Sequence, residues 1–145
     1  RGWVMVRSEA LEADALVAAM QRGDFYGSSG VTLSDIKADG KSLGVTVVGE
    51  AGVTYTTQYI GTRKGFDTTT KPQLDAEGKP LPRSSLLYSD EIGAVLHETT
   101  DLESSYTFSG DEHYVRARVV SDKVQENPHE EGDVEMAWVQ PVLPK

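Results

Sequence analysis

Gly23-Asp24-Phe25-Tyr26-Gly27-Ser28-Ser29-Gly30 divides this chain into two kinds of pattern. Before it, Ala13, Leu16, Val17 and Met20 fall at i, i+3, i+4 and i+7 and so share one helical face. Asp14 in the first turn and Arg22 in the last complement the helix dipole. Gly23 is then free to take the left-handed conformation that ends helices, which predicts a helix over residues 12–22. After the run the period becomes two. The predicted fold is therefore mainly β: an immunoglobulin-like β-sandwich preceded by one short α-helix.

Working outward, Trp3 to Arg7 is a short β-prone run. Downstream, Asp39-Gly40 is a hairpin signal between Ser34–Ala38 and Ser42–Val48, and Leu43, Val45 and Val47 share a face of the second strand. Val53 to Ile60 alternates, with Val53, Tyr55, Thr57 and Tyr59 together. Ile92 to Thr99 places Ile92, Ala94 and Leu96 on one face. The clearest strand is His113 to Ser121, with Val115, Ala117 and Val119 inward and Tyr114, Arg116 and Arg118 outward. Val134 to Val142 closes the pattern, with Val134, Met136 and Trp138 on one face. Residues 62–91 are irregular, rich in Gly, Pro and charge, and read as a long loop or a loop bearing a hairpin at Glu77-Gly78. The expected division is a linker strand and helix over 1–30 and a sandwich domain over 31–145.

Bulk properties narrow the function. The 145 residues suffice for one domain with its own core. The net charge of −9 argues against nucleic-acid binding, which needs a basic face. No run approaches the ~18 apolar residues of a membrane-spanning helix. The absence of cysteine excludes disulfides and thiolate chemistry. It leaves the compartment open, with a secreted or periplasmic location favoured over the cytoplasm. The first residue is Arg1 rather than Met, so the chain is expected to be a fragment or processed product.

Candidate chemistry is sparse. His97, His113 and His129 lie 16 residues apart and lack compact metal-ligand spacing. The acidic pairs Asp90-Glu91, Asp111-Glu112 and Glu130-Glu131 sit in predicted loops and read as solvated charge, with no Asp-x-Asp-x-Asp-Gly calcium pattern. Tyr26-Gly27-Ser28-Ser29-Gly30 invites comparison with a nucleophile elbow. The spacing is wrong, and the helix precedes the serines instead of following them. The ten principal rings read chiefly as core, although a sugar-stacking platform is an alternative.

Several segments together resemble a known family. They are Gly2-Trp3-Val4-Met5-Val6-Arg7, Leu16 to Met20 with the Gly23–Gly30 run, and Tyr114-Val115-Arg116-Ala117. Later come Glu126-Asn127-Pro128, Gly132-Asp133-Val134-Glu135 and Ala137-Trp138-Val139-Gln140-Pro141-Val142. Their order resembles the C-terminal part of PHP-domain metal-dependent hydrolases of the CehA/McbA type. In that family a helix ending in Gly-x-Phe-Tyr-Ala-Ser-x-Gly leaves the catalytic barrel and a β-domain follows. Gly27 departs from the usual Ala, and Glu12-Ala13 from the usual Ser/Thr-Pro helix start, which weakens the N-cap.

The resemblance implies a non-catalytic accessory domain of a metal-dependent phosphoesterase or hydrolase. Its divalent-metal cluster would lie in an upstream barrel, and no catalytic, cofactor or metal residue carries over to this chain. Gly23, Phe25, Tyr26 and Gly30 would form the domain junction, and the upstream domain would be the main partner. The alternative is a carbohydrate-binding or cell-surface interaction module with a glycan or protein ligand.

Overall fold

Strand covers 46% of the chain and helix 7%, which makes the protein mainly β. The computed structural model describes residues 2–145. In order the elements are β1 (Trp3–Val6), α1 (Ala13–Arg22), β2 (Phe25–Ser28), β3 (Leu33–Ala38), β4 (Ser42–Val47) and β5 (Tyr55–Arg63). There follow β6 (Lys71–Pro72), β7 (Leu86–Leu87), β8 (Ala94–Thr99), β9 (Glu103–Thr107), β10 (Glu112–Val124) and β11 (Val134–Val139).

Two antiparallel sheets make the sandwich. One has the order β1-β2-β11-β10-β5-β8, the other β3-β4-β9. The chain crosses between them after β2, β4, β8 and β9. Setting β3-β4-β9 against β8-β5-β10-β11 gives the strand order of an immunoglobulin-like sandwich. The sheets meet over one core: Leu43, Val45 and Val47 from one side, Tyr59, Val115, Ala117, Val119 and Ala137 from the other. Successive strand residues point to opposite faces, so alternation in the sequence becomes burial of every second residue.

Three details go beyond the pattern or against it. First, residues before Gly30 are part of the sheet: β2 pairs with β11, and its Tyr26 joins the core. Second, β9 is a strand with little apolar signal in Glu103-Ser-Ser-Tyr-Thr107; its pairing with β4 completes the smaller sheet. Third, in β11 the buried face is Glu135, Ala137 and Val139, the phase opposite to Val134, Met136 and Trp138. The reason lies next door on β2. Trp138 pairs with Gly27, whose missing side chain leaves a shallow outer channel for the indole, 3.9 Å from where a Cβ would stand.

The irregular stretch carries the hairpin. β6 pairs with β7, and Leu74 bridges to Pro80 across a turn at Asp75–Gly78. The Asp75 carboxylate accepts the Glu77 and Lys79 N–H groups, which fixes the turn. Its apolar side chains are not buried: Leu74, Leu86, Leu87 and Tyr88 are all exposed.

Candidate functional site

The Gly23–Gly30 run ends the helix, forms β2 and bends into the sheet crossing within eight residues. At its start, Gly23 adopts φ 82° and its N–H donates to the Met20 carbonyl, while the Asp24 N–H donates to Ala19. This pair of bonds is a Schellman motif, and it satisfies carbonyls that the end of α1 would leave bare. At the other end of α1, Glu12 makes no side-chain cap.

In the middle, Tyr26 is buried and its hydroxyl accepts the Leu33 N–H at 3.0 Å. One ring thus ties β2 to β3 across the two sheets, while Phe25 beside it is half-buried. At the far end the chain crosses from one sheet to the other. Ser28 Oγ donates to the Val31 carbonyl at 2.6 Å and accepts the Gly30 N–H at 3.0 Å. Ser29 Oγ accepts the Met136 N–H. Both hydroxyls are engaged with backbone, so neither is a free nucleophile. Gly30 lies against the buried Glu135 side chain, and a Cβ there would overlap it. The structure therefore brings Gly23, Phe25 and Tyr26 together along one groove and sets Gly30 at the opposite end of β2.

That groove, about 540 Å³, runs between β1, the end of α1 and β3. Met5, Val6, Phe25, Ile36 and Val142 put apolar side chains into walls that also carry polar ones such as Ser34 and Gln140. Its rim is ion-paired: Arg7 with Asp35 at 3.0 Å and Arg22 with Asp24 at 2.9 Å. Partial burial pushes the Asp35 carboxyl up, but Lys37, Arg7 and the Ile36 N–H outweigh it and hold the group below its usual range. Carboxylates locked to cations, along a groove of mixed apolar and polar groups, suit a docked side chain or chain segment better than proton transfer.

A second, polar depression of about 500 Å³ lies over the outer face of β3-β4-β9, where Gly44 keeps the surface flat. His97, Asp101 and Glu103 border it. His97 stacks on Tyr59 with ring centres 6.0 Å apart, and Tyr59 stacks on Tyr106 at 5.8 Å. His113 meets Phe66 edge-on, and His129 lies exposed in the β10–β11 loop. The three histidines thus stand in three places, and among the described residues no group of three potential metal ligands converges.

The polar centre that sequence reading misses is Glu112, assigned to solvated charge but only 1% exposed. Its Oε1 accepts the Tyr106 hydroxyl at 2.7 Å and both the N–H and Oγ of Ser109; Oε2 accepts the Gly110 N–H. Arg63 approaches to 3.8 Å. Burial pushes this carboxyl up, yet the donors from Ser109 and Tyr106 outweigh it and hold it at about 2. The same contact with Glu112, after burial, raises the Tyr106 phenol. The available signal is Ser109-Gly110-Asp111-Glu112, a turn whose first hydroxyl lies three residues before a carboxylate. The network anchors the β9–β10 corner and leaves no open position for a substrate.

Comparison of the chain with protein-family models, with curated proteins and with solved structures finds no match.

Proposed function

We propose that this chain is a non-catalytic accessory β-sandwich of a larger metal-dependent hydrolase of the PHP type, docking through α1 and the groove beside it. The observation that carries the docking reading is the N-terminal surface. Val17 and Met20 of the amphipathic stripe are 53% and 41% exposed, and Trp3, Val4 and Met5 on β1 are 52%, 49% and 43% exposed. Only Ala19 of the helix is fully buried. Exposed apolar side chains on two neighbouring elements, α1 and β1, suit an interaction site. The sandwich supplies the remainder of the reading: its polar side chains are tied into turns and corners, as in the Ser28–Ser29 and Glu112 networks.

The identity of the partner as a PHP barrel rests on the resemblance of the Gly2–Arg7, Gly23–Gly30 and Ala137–Val142 motifs. Two measurements test the proposal. Incubated with Mn²⁺, Zn²⁺ or Mg²⁺ and a chromogenic phosphodiester, the isolated chain should show no hydrolysis above the metal-only control; clear turnover would sink the non-catalytic reading. The gene should also encode His-x-His and Asp-x-His motifs upstream of Arg1, and their absence would sink the family reading.

A glycan-binding role calls for a flat row of exposed rings. Tyr26, Tyr55 and Tyr59 are instead buried at 6%, 3% and 0% exposure, which counts against that alternative.

A further inference from the structure

β1 is an outer strand of the six-stranded sheet, and its free edge differs from the other edges of the sandwich. Its register with β2, together with the Arg7 N–H to Asp24 carbonyl bond at 2.8 Å, fixes which groups face outward. In an antiparallel ladder bonded pairs alternate, so Trp3, Met5 and Arg7 bond to β2 while Val4 and Val6 aim their N–H and C=O groups away from it. The next ladder agrees. The Ser29 N–H donates to Met136, so the odd residues of β2 bond to β11 and the even ones to β1.

The other sandwich edges carry features that discourage strand addition. β3 has a register break between Leu33 and Asp35 and bears Asp35 and Lys37. β8 pairs across a register break and bears His97 and Glu98. β9 begins with Glu103. β1 has neither break nor charge: it is Trp-Val-Met-Val in unbroken register.

We propose that this edge is a homodimer interface, in which a second copy adds its own β1 antiparallel about a two-fold axis at Met5. The two larger sheets then become one continuous sheet. In this register Val4 lies opposite the partner's Val6, and the outward N–H and C=O groups of both strands are satisfied. Trp3 lies opposite the partner's Arg7, a guanidinium against an indole, and no like charges face each other. Arg7 keeps its bond to Asp35 while its side chain is 62% exposed and open to the ring. The same operation at β8 would bring acidic Glu98 side chains toward one another. Because a four-residue strand pair covers less than the roughly 1,200 Å² of a stable interface, the dimer should be weak, with a dissociation constant on the order of tens of micromolar. The inference concerns this chain by itself, since Trp3, Val4 and Met5 also belong to the surface that the accessory-domain reading docks on its partner.

Sedimentation equilibrium of the whole chain, from about 5 to 500 μM, should show a monomer–dimer equilibrium. Amide exchange at Val4 and Val6 should slow as concentration rises, while the Met5 amide stays protected throughout. Val4→Pro removes an outward donor and no β1–β2 bond, and proline is tolerated where an edge N–H faces solvent. It should raise the dissociation constant at least about tenfold. Met5→Lys sets two lysines across the axis and should do the same in a salt-sensitive way, which decides the question if Val4→Pro disturbs the fold. A monomeric mass over the whole range overturns the proposal. So does a dimer in which Val4 and Val6 exchange as fast as in dilute protein.

Discussion

β2 and α1 stand two residues apart, and they hold to the protein in opposite ways. β2 is only four residues long, yet Tyr26 and Ser28 are 6% and 2% exposed, with Tyr26 bonded across to β3 and Ser28 to the crossing segment. α1 is ten residues long with an apolar stripe, yet most of that stripe faces solvent. Length and hydrophobicity do not decide which element belongs to the core. Position does: β2 has a ladder on each side, β1 and β11, whereas α1 lies chiefly against the edge strand β1. Substitutions in the sandwich should therefore be costly, and substitutions on α1 nearly silent.

The largest effect is expected at the centre of the sandwich. Tyr59 is fully buried, stacks on Tyr106 and bonds Ser104 at 2.9 Å. Tyr59→Ala empties that space and should cost about 4 kcal/mol by chemical denaturation. Tyr59→Phe keeps the ring, leaves Ser104 without its partner and should cost about 1 kcal/mol. If the two variants cost the same, the hydroxyl contact and not the ring would dominate, and the core would be polar in character.

Next comes the β9–β10 corner. Glu112→Gln keeps the shape of the side chain but loses the charge that four donors satisfy, and should cost about 2 kcal/mol. The pH dependence has a definite sign. The folded carboxyl titrates at about 2 against 4.5 for an unperturbed one, so its contribution is complete above about pH 4.5 and is lost as the pH falls toward 2. The wild-type protein should lose stability over that window, and Glu112→Gln should flatten the loss. An unchanged acid limb in the variant would assign acid sensitivity to other carboxylates.

Sequence patterning discloses the sandwich because most of its strands bury every second residue, and alternation is visible wherever the buried residues are larger than their neighbours. β4 and β10 satisfy that condition, and so their inward faces are readable from Leu43, Val45, Val47, Val115, Ala117 and Val119. β11 does not. It buries Ala137 and leaves Trp138 half-exposed, because Gly27 on the neighbouring strand makes room outside and the core there needs a small residue. β9 is hidden for a related reason: its inward residues, Ser104 and Tyr106, work through hydroxyls bonded to Tyr59 and Glu112. Glu112 itself looks like surface charge: Ser109 and Gly110 are local donors, but nothing local shows that the Tyr106 hydroxyl closes over them and buries the carboxylate. The Gly23 turn is the opposite case. Its bonds all lie within six residues, and local chemistry is enough to find it.

At the sheet crossing the expected effect is about as large but comes from overpacking and backbone strain. Gly30 has φ 157°, and a Cβ there would overlap the Glu135 side chain, which otherwise reaches Lys123 at 3.5 Å. Gly30→Ala should cost about 2 kcal/mol, by displacing the buried Glu135 side chain and by straining the backbone. Combining it with Glu135→Ala should recover only the part due to overlap, since φ 157° strains any residue with a Cβ there. A cost that persists in the double variant would place the requirement for glycine in the backbone.

The smallest effect is the most informative about α1. Val17→Ser and Met20→Ser remove apolar surface that is already 53% and 41% exposed, so each should change the stability of this chain by less than about 0.5 kcal/mol. Serine is a poorer helix former than methionine, and that small cost is all the sandwich should register. If α1 were held mainly by its stripe packing on the sandwich, each change would instead cost more than about 1.5 kcal/mol, the range for losing a buried side chain. Thermal or denaturant unfolding of the two variants separates these outcomes directly. Near-silence here, beside the large loss at Tyr59, would mean that the amphipathic pattern of α1 is not explained by this chain's own stability. A docked partner is then what would make Val17 and Met20 matter, and their effect should appear only in its presence.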